Sequence, residues 1–226
     1  MAGFIIDGAH TYTLYCTEAE RADTLARHFS RYAAEHDRNG TISLDNLEDL
    51  RAAGLLGLAI PQAQGGLGAD LRRVVDIVAR IAKGDPSTAL ILAMQCIHSA
   101  EIASSPLWPQ AVRAEVLHSV LHDGALINAL RVEPELGTPA RGGVPATRVR
   151  RSEGRWLLSG QKIFSTGSSA LSWGIVWGAT QEDTPRIGQI LVPLDSPGVR
   201  IEKSWYQLGM RASGSDTVIF EDVEIP

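Results

Sequence analysis

Cysteine is scarce in this chain of 226 residues: there are two, Cys16 and Cys96, far apart. That rules out a disulfide framework and a four-thiolate zinc site, and it fits two reduced thiols in a cytoplasmic protein. Aromatic residues make up only 6% of the sequence. Charge of one sign is lacking as well: 21 Lys and Arg against 26 Asp and Glu leave a net charge of −5, which gives no reason to expect nucleic acid or an anionic membrane as partner. No run approaches the roughly 18 apolar residues of a membrane span. The opening MAGFIIDGAH has neither the basic start nor the cleavage site of a secretory leader. A hydrolase elbow of the GxSxG type does not occur. Gly65-Gly66-Leu67-Gly68 lacks the Lys-Ser/Thr and the preceding strand of a phosphate loop, and reads as a turn. His118 and His122 stand at i, i+4 near Glu115, but without an intervening Glu or a third ligand they read as a solvated helix face, so no metal site is expected.

What is present is a 44% apolar composition, enough for one large or two small domains. Up to about residue 124 the pattern is helical. Thr17 and Glu20 have capping-box spacing and predict a helix running to about His36. Leu44, Leu47 and Leu50 to Ala53 keep helical spacing that stops at Gly54. Leu71, Val74, Val75, Val78, Ile81 and Ala82 form an amphipathic stripe. Asp85 caps and Pro86 opens a helix to about Ala103, apolar on most sides and therefore central, with His98 read as a core histidine. A last helix spans Pro109 to His122, completing a bundle of about five.

After Gly124 the period becomes extended. Short β-branched and aromatic runs, 125–130, 146–151, 155–163, 173–180, 187–192, 199–206 and 217–224, predict strands of an antiparallel sandwich or barrel. Gly154 marks a hairpin turn between the second and third. The fold class is thus α+β, with an N-terminal helical domain over 1–124 and a β-domain over 125–226.

Several motifs then occur in one order: Ile60-Pro61 with Gly65-Gly66-Leu67-Gly68; Gly84-Asp85-Pro86-Ser87-Thr88-Ala89; the segment 128–138, NALRVEPELGT; the segment 160–167, GQKIFSTG; Leu208-Gly209-Met210-Arg211; and Phe220-Glu221-Asp222-Val223-Glu224-Ile225-Pro226. Together they resemble the acyl-CoA dehydrogenase family over almost the whole chain. The resemblance implies a flavoprotein oxidoreductase that binds FAD, or FMN, and a small-molecule substrate such as an acyl-CoA. It also implies that Ala129, Arg131 and Val132 line the flavin ring, that Gly137 and Thr138 lie near the phosphates or ligand, and that Phe164, Ser165 and Thr166 face the flavin from a neighbouring strand. Phe164 would be the packing wall and Thr166 the hydroxyl partner. Glu133 is expected to act through its backbone.

In such a dehydrogenase a carboxylate takes the α-proton while hydride passes to the flavin. That base belongs to a C-terminal four-helix domain with no counterpart in these residues, so no catalytic residue is assigned. The expectation is a homo-oligomer, or a partner chain supplying the helical domain, or a truncated product without turnover. The chain departs from the dehydrogenase pattern at Arg131, Val132, Pro139 and Gly167. With Pro106-Leu107-Trp108-Pro109 and Ser172-Trp173, these departures are similar to the monooxygenase branch that resembles dibenzothiophene monooxygenase, which works with reduced flavin and dioxygen.

Overall fold

The computed structural model describes residues 16–225 other than 138, 140 and 141. Six α-helices come first, α1 (Glu18–Phe29), α2 (Ala33–Asn39), α3 (Leu44–Ala52), α4 (Leu71–Ala82), α5 (Pro86–Ser104) and α6 (Gln110–His118). The start of α1 is the capping box read from the sequence: Thr17 Oγ1 accepts from Glu20 N, and Glu20 Oε2 accepts from Thr17 N at 2.9 Å. The helix does not continue to His36. It breaks over Ser30–Tyr32, where Arg31 N and Tyr32 N bond three residues back, and the chain restarts as α2. The break has a tertiary cause. It carries α2 to the β-region, where Asp37 Oδ1 accepts from Arg211 N and Asp37 O from Arg211 Nε, each at 2.9 Å.

Helix α5 is the central one. Its cap Asp85 is buried; Oδ1 takes the N–H groups of Ser87 and Thr88, and Oδ2 takes Thr88 Oγ1 at 2.7 Å and Asn46 Nδ2 at 3.1 Å. One carboxylate therefore fixes the start of α5 and pins α3 to it. Just before it, a Cβ on Gly84 would lie 2.0 Å from Ala26 O, so α1 packs directly on this turn and only hydrogen fits. Cys96, buried in α5, has its thiol pushed up to about 12 by burial, which makes it inert. Helix α6 does not end as a regular helix: it widens into a π-helical turn, Ser119–Asp123.

Seven strands follow: β1 (Ile127–Leu130), β2 (Arg148–Ser152), β3 (Arg155–Ser165), β4 (Trp173–Thr180), β5 (Ile187–Pro193), β6 (Val199–Glu202) and β7 (Asp216–Ile225). They form one sheet. Most pairs are antiparallel, but β1 and β2 both pair parallel to β4 along the same edge, β1 at Trp173–Val176 and β2 at Ala179–Thr180. The long β3 pairs with β2 through Ser159 and then runs on to reach the chain just past β1. The β2–β3 turn is the expected hairpin, with Glu153 at φ 51° and Gly154 at φ 83°, a type I′ pair. Strand β6 is shorter than its apolar run, because Ser204 N and Trp205 N turn away to Asp216 Oδ1.

Helices and sheet share a core. Gln95 on α5 extends the backbone bonding of β1, its Oε1 accepting from Ile127 N at 2.8 Å and its Nε2 donating to Ala125 O. Trp173 Nε1 donates to Ser119 Oγ at 2.9 Å, tying β4 to the π turn.

Candidate flavin site

The two segments singled out in the sequence meet at the ends of β1 and β3. Val132 O accepts from Ile163 N at 2.9 Å, an isolated bridge between them. The junction is held by Asn128, which is buried: its Nδ2 donates to Thr166 O at 2.9 Å and its Oδ1 accepts from Ala129 N at 2.7 Å. A side-chain amide thus supplies the pairing that the sheet lacks there. Ala129 is half-buried, and Arg131 is exposed, its guanidinium 3.8 Å from Glu101 Oε2.

Phe164 is 56% exposed and has φ 57°, a left-handed conformation that a bulky residue seldom adopts. Holding it there costs about 1–2 kcal/mol, and the ring is presented outward as a result. Trp205 meets it edge to face, centroids 5.9 Å apart. Asp216 positions Trp205 by accepting its N–H at 3.0 Å, and Trp205 Nε1 donates to Met210 O. Thr166 Oγ1 lies 3.0 Å from Ser215 Oγ, which lies 2.8 Å from Ser213 Oγ, a row of hydroxyls. Ser165 is buried, and its Oγ has no hydrogen-bond partner among the described residues. The arrangement offers an exposed aromatic wall, a hydroxyl row and a nearby guanidinium, which fits a planar heteroaromatic ring with a polar edge and an anionic tail. Gly137, at φ 72°, closes a turn whose N–H and C=O pair with those of Glu133. Thr138 lies outside the described residues.

Glu133 corrects one expectation. Its backbone closes that turn, but its side chain does more: Oε1 accepts from Lys162 Nζ at 2.7 Å and Thr147 N at 2.9 Å, and Oε2 from Ala146 N at 2.7 Å. Lys162 also donates to Trp177 O. Burial alone would raise the carboxyl; the Lys162 ammonium and the two amides outweigh it and hold Glu133 at about 2.

His98 is buried and meets Glu101, with Nδ1 3.1 Å from Oε2; burial draws the imidazole below its ordinary value against the opposing pull of that carboxylate. Glu101 Oε1 also accepts from Gln189 Nε2 at 2.7 Å, so α5, β5 and the chain after β1 converge on one carboxylate. Asn128, Trp205, Ser215 and Glu101 were not assigned from sequence. Asn128 carried the one available signal, since it opens the segment 128–138; the others reach the site only through folding.

Among the described residues no helix is long and apolar enough to cross a membrane, and no group of three or more His, Cys, Asp or Glu could hold a metal. Two family models match: acyl-CoA dehydrogenase, N-terminal domain, over 17–105, and acyl-CoA dehydrogenase, middle domain, over 131–223. YdbM of Bacillus subtilis (strain 168), whose name places it with the acyl-CoA dehydrogenases, is 34% identical over 204 residues, 90% of this chain and 53% of its own. A dibenzothiophene monooxygenase of Mycolicibacterium goodii is 29% identical over 209 residues, 91% of this chain and 49% of its own. Among solved structures, KijD3 in complex with FMN and dTDP-3-amino-2,3,6-trideoxy-4-keto-3-methyl-D-glucose superposes with a TM-score of 0.81 at 28% identity, covering 95% of this chain and 54% of that one. The chain therefore spans about half the length of the relatives it matches. With both family domains matched in order and the same fold in the solved relatives, this chain belongs to the acyl-CoA dehydrogenase family.

Proposed function

We propose that this chain forms the flavin-binding part of an oxidoreductase that works by flavin-dependent monooxygenation of a small molecule. The observation that carries the flavin reading is the junction of β1 and β3, where Asn128 joins Thr166 O to the β1 backbone and leaves the Phe164 ring outward. FMN, or FAD, would lie against Phe164 and Trp205, with its polar edge toward Thr166 and its phosphate within reach of Arg131. Bound flavin supplies the redox chemistry: reduced, it activates dioxygen; oxidised, it accepts hydride.

The residues of this chain position and shield. Phe164 and Trp205 exclude water from one face of the ring, and Asn128 fixes the Thr166 carbonyl so that its direction does not change on binding. Glu101 draws Arg131 toward α5 and limits its range. Support for the oxygenase class comes from the relatives: the dibenzothiophene monooxygenase named above matches over nine-tenths of this chain, and the FMN complex of KijD3 shares its fold. The second reading, dehydrogenation of an acyl thioester with hydride passed to FAD, is favoured by the higher identity to YdbM. The two differ in their use of dioxygen.

The test is a visible-absorbance titration of the purified chain with FMN and with FAD, followed by oxygen uptake with chemically reduced flavin and an aromatic sulfur or amino-sugar substrate. Saturable binding lost in Phe164→Gly supports the site. Absence of binding by either flavin up to millimolar concentration sinks it. Anaerobic bleaching of bound FAD by an acyl-CoA, with no oxygen uptake, would favour the second reading.

A further inference from the structure

On the helical side, α6 and its π turn border a cavity of about 360 Å3. That is within the range of small-ligand sites. Its floor is apolar, Leu117 and Leu121. Its walls are polar: Arg113, His118 and His122 along α6 and the π turn, Gln110 at the start of α6, and Gln64 opposite. Among the described residues no carboxylate lines it.

Gln64, Gln110, His118 and His122 are exposed at its rim, and three features distinguish the cavity. Arg113 has no ion-pair partner among the described residues, and its Nε is buried without a hydrogen-bond partner. A buried guanidinium nitrogen left unpaired is costly unless something else accepts from it. The π turn, an element enriched at functional sites, brings the His118 and His122 rings to 4.5 Å between centroids. The turn is also seated: Leu121 Cδ2 would lie 2.6 Å from a Cβ on Gly57, so it packs directly on the glycine turn below. The turn that carries His122 is thereby fixed, and the two exposed imidazoles line the cavity together with Arg113.

We propose that this cavity binds a small oxyanion, a phosphate or carboxylate on a short apolar stem, separate from the flavin site. The guanidinium and the two imidazoles donate to the oxyanion, the Gln110 amide adds a further donor, and the stem lies on Leu117 and Leu121. A divalent metal is the competing occupant of a His pair at this spacing, but the adjacent unpaired guanidinium repels a cation and leaves no third ligand.

The test follows the imidazole signals of His118 and His122 by NMR while the protein is titrated with hexyl phosphate, hexanoate, hexanol and, separately, zinc chloride. The expected result is saturable movement of both signals with hexyl phosphate, hexanoate or both, and none with hexanol. Arg113→Met should weaken that binding at least about tenfold, the loss of one charge-assisted contact, and leave the flavin titration unchanged. A second variant, His118→Asn with His122→Asn, reports on binding by calorimetry should Arg113→Met fold poorly. The proposal is overturned by no movement with either anion at millimolar concentration, by equal binding of hexanol, or by binding that Arg113→Met leaves intact. Movement with zinc alone would overturn it in favour of a metal. Hexyl phosphate binding without hexanoate would narrow the ligand to phosphates, and the reverse to carboxylates.

Discussion

Glu133 and Lys162 form an ion pair buried between the chain after β1 and the middle of β3, with Oε1 and Nζ 2.7 Å apart and both side chains almost fully enclosed. The remaining bonds of the carboxylate go to Ala146 N and Thr147 N, so one side chain closes the base of the loop between β1 and β2. Lys162 reaches across to Trp177 O on β4. The pair therefore staples three stretches of chain at the foot of the candidate flavin site.

Removing either partner alone leaves an uncompensated buried charge. Glu133→Gln and Lys162→Met should each lower unfolding stability by about 3–5 kcal/mol, and the double variant by clearly less than their sum. Urea denaturation of the three variants measures this coupling. Strict additivity would count against a cooperative pair.

The same pair sets a pH dependence. Glu133 sits at about 2 in the folded protein, below its unfolded reference of 4.5, so its contribution is complete above the reference and drains away as pH falls from 4.5 toward 2. Denaturation curves at a series of pH values should show a steeper acid loss in the natural protein than in the double variant. Equal slopes would assign the acid loss to other carboxylates.

Asn128→Asp keeps the size of the side chain and removes the donor to Thr166 O, placing a carboxylate against a carbonyl. We expect a loss of about 1–3 kcal/mol in stability and flavin binding weakened by about an order of magnitude or more, a shift of about 1.4 kcal/mol. Stability and affinity are read separately, by urea melt and absorbance titration. Unchanged affinity in a folded variant would remove Asn128 from the site.

Phe164→Gly separates packing from function in the opposite direction. Glycine relieves the left-handed backbone, offsetting the lost contact with Trp205, so stability should change by less than about 1 kcal/mol. Flavin binding should nonetheless fall by about tenfold or more, because the wall is gone.

Gly84→Ala tests the close approach of α1 to the turn before α5. With Ala26 O only 2.0 Å from the new Cβ, backbone must move, and a loss of at least about 1–3 kcal/mol is expected in thermal or urea denaturation. A neutral result would mean that α1 and α5 can separate without cost.

Much of the fold is written locally. The capping box at Thr17, the Asp85-Pro86 start, the stop at Gly54 and the Gly154 hairpin each act within a few residues, and each is found where the sequence puts it. The break at Ser30–Tyr32 was not legible from apolar spacing: at the helix end Ser30 Oγ turns back onto Arg27 O, and Arg211, far along the chain, holds Asp37 of α2. The parallel placement of β1 and β2 on one edge of β4 was likewise invisible, since alternation reports which face is buried and not which strand lies alongside. The candidate site divides the same way. Phe164 and Thr166 were visible through their motif, whereas Trp205 and Ser215 approach it from the chain between β6 and β7, and Glu101 from α5, all remote in sequence.

By itself the sequence determined the helical and extended halves, their caps and turns, and the family motifs, because these depend on backbone preferences and spacing over a few residues. Only the tertiary structure decided that Glu133 works through its side chain, that Asn128 replaces a missing ladder at the β1–β3 junction, and that His118, His122 and Arg113 border one cavity. Burial and long-range pairing settle such roles, and neither is a property of any short stretch of chain.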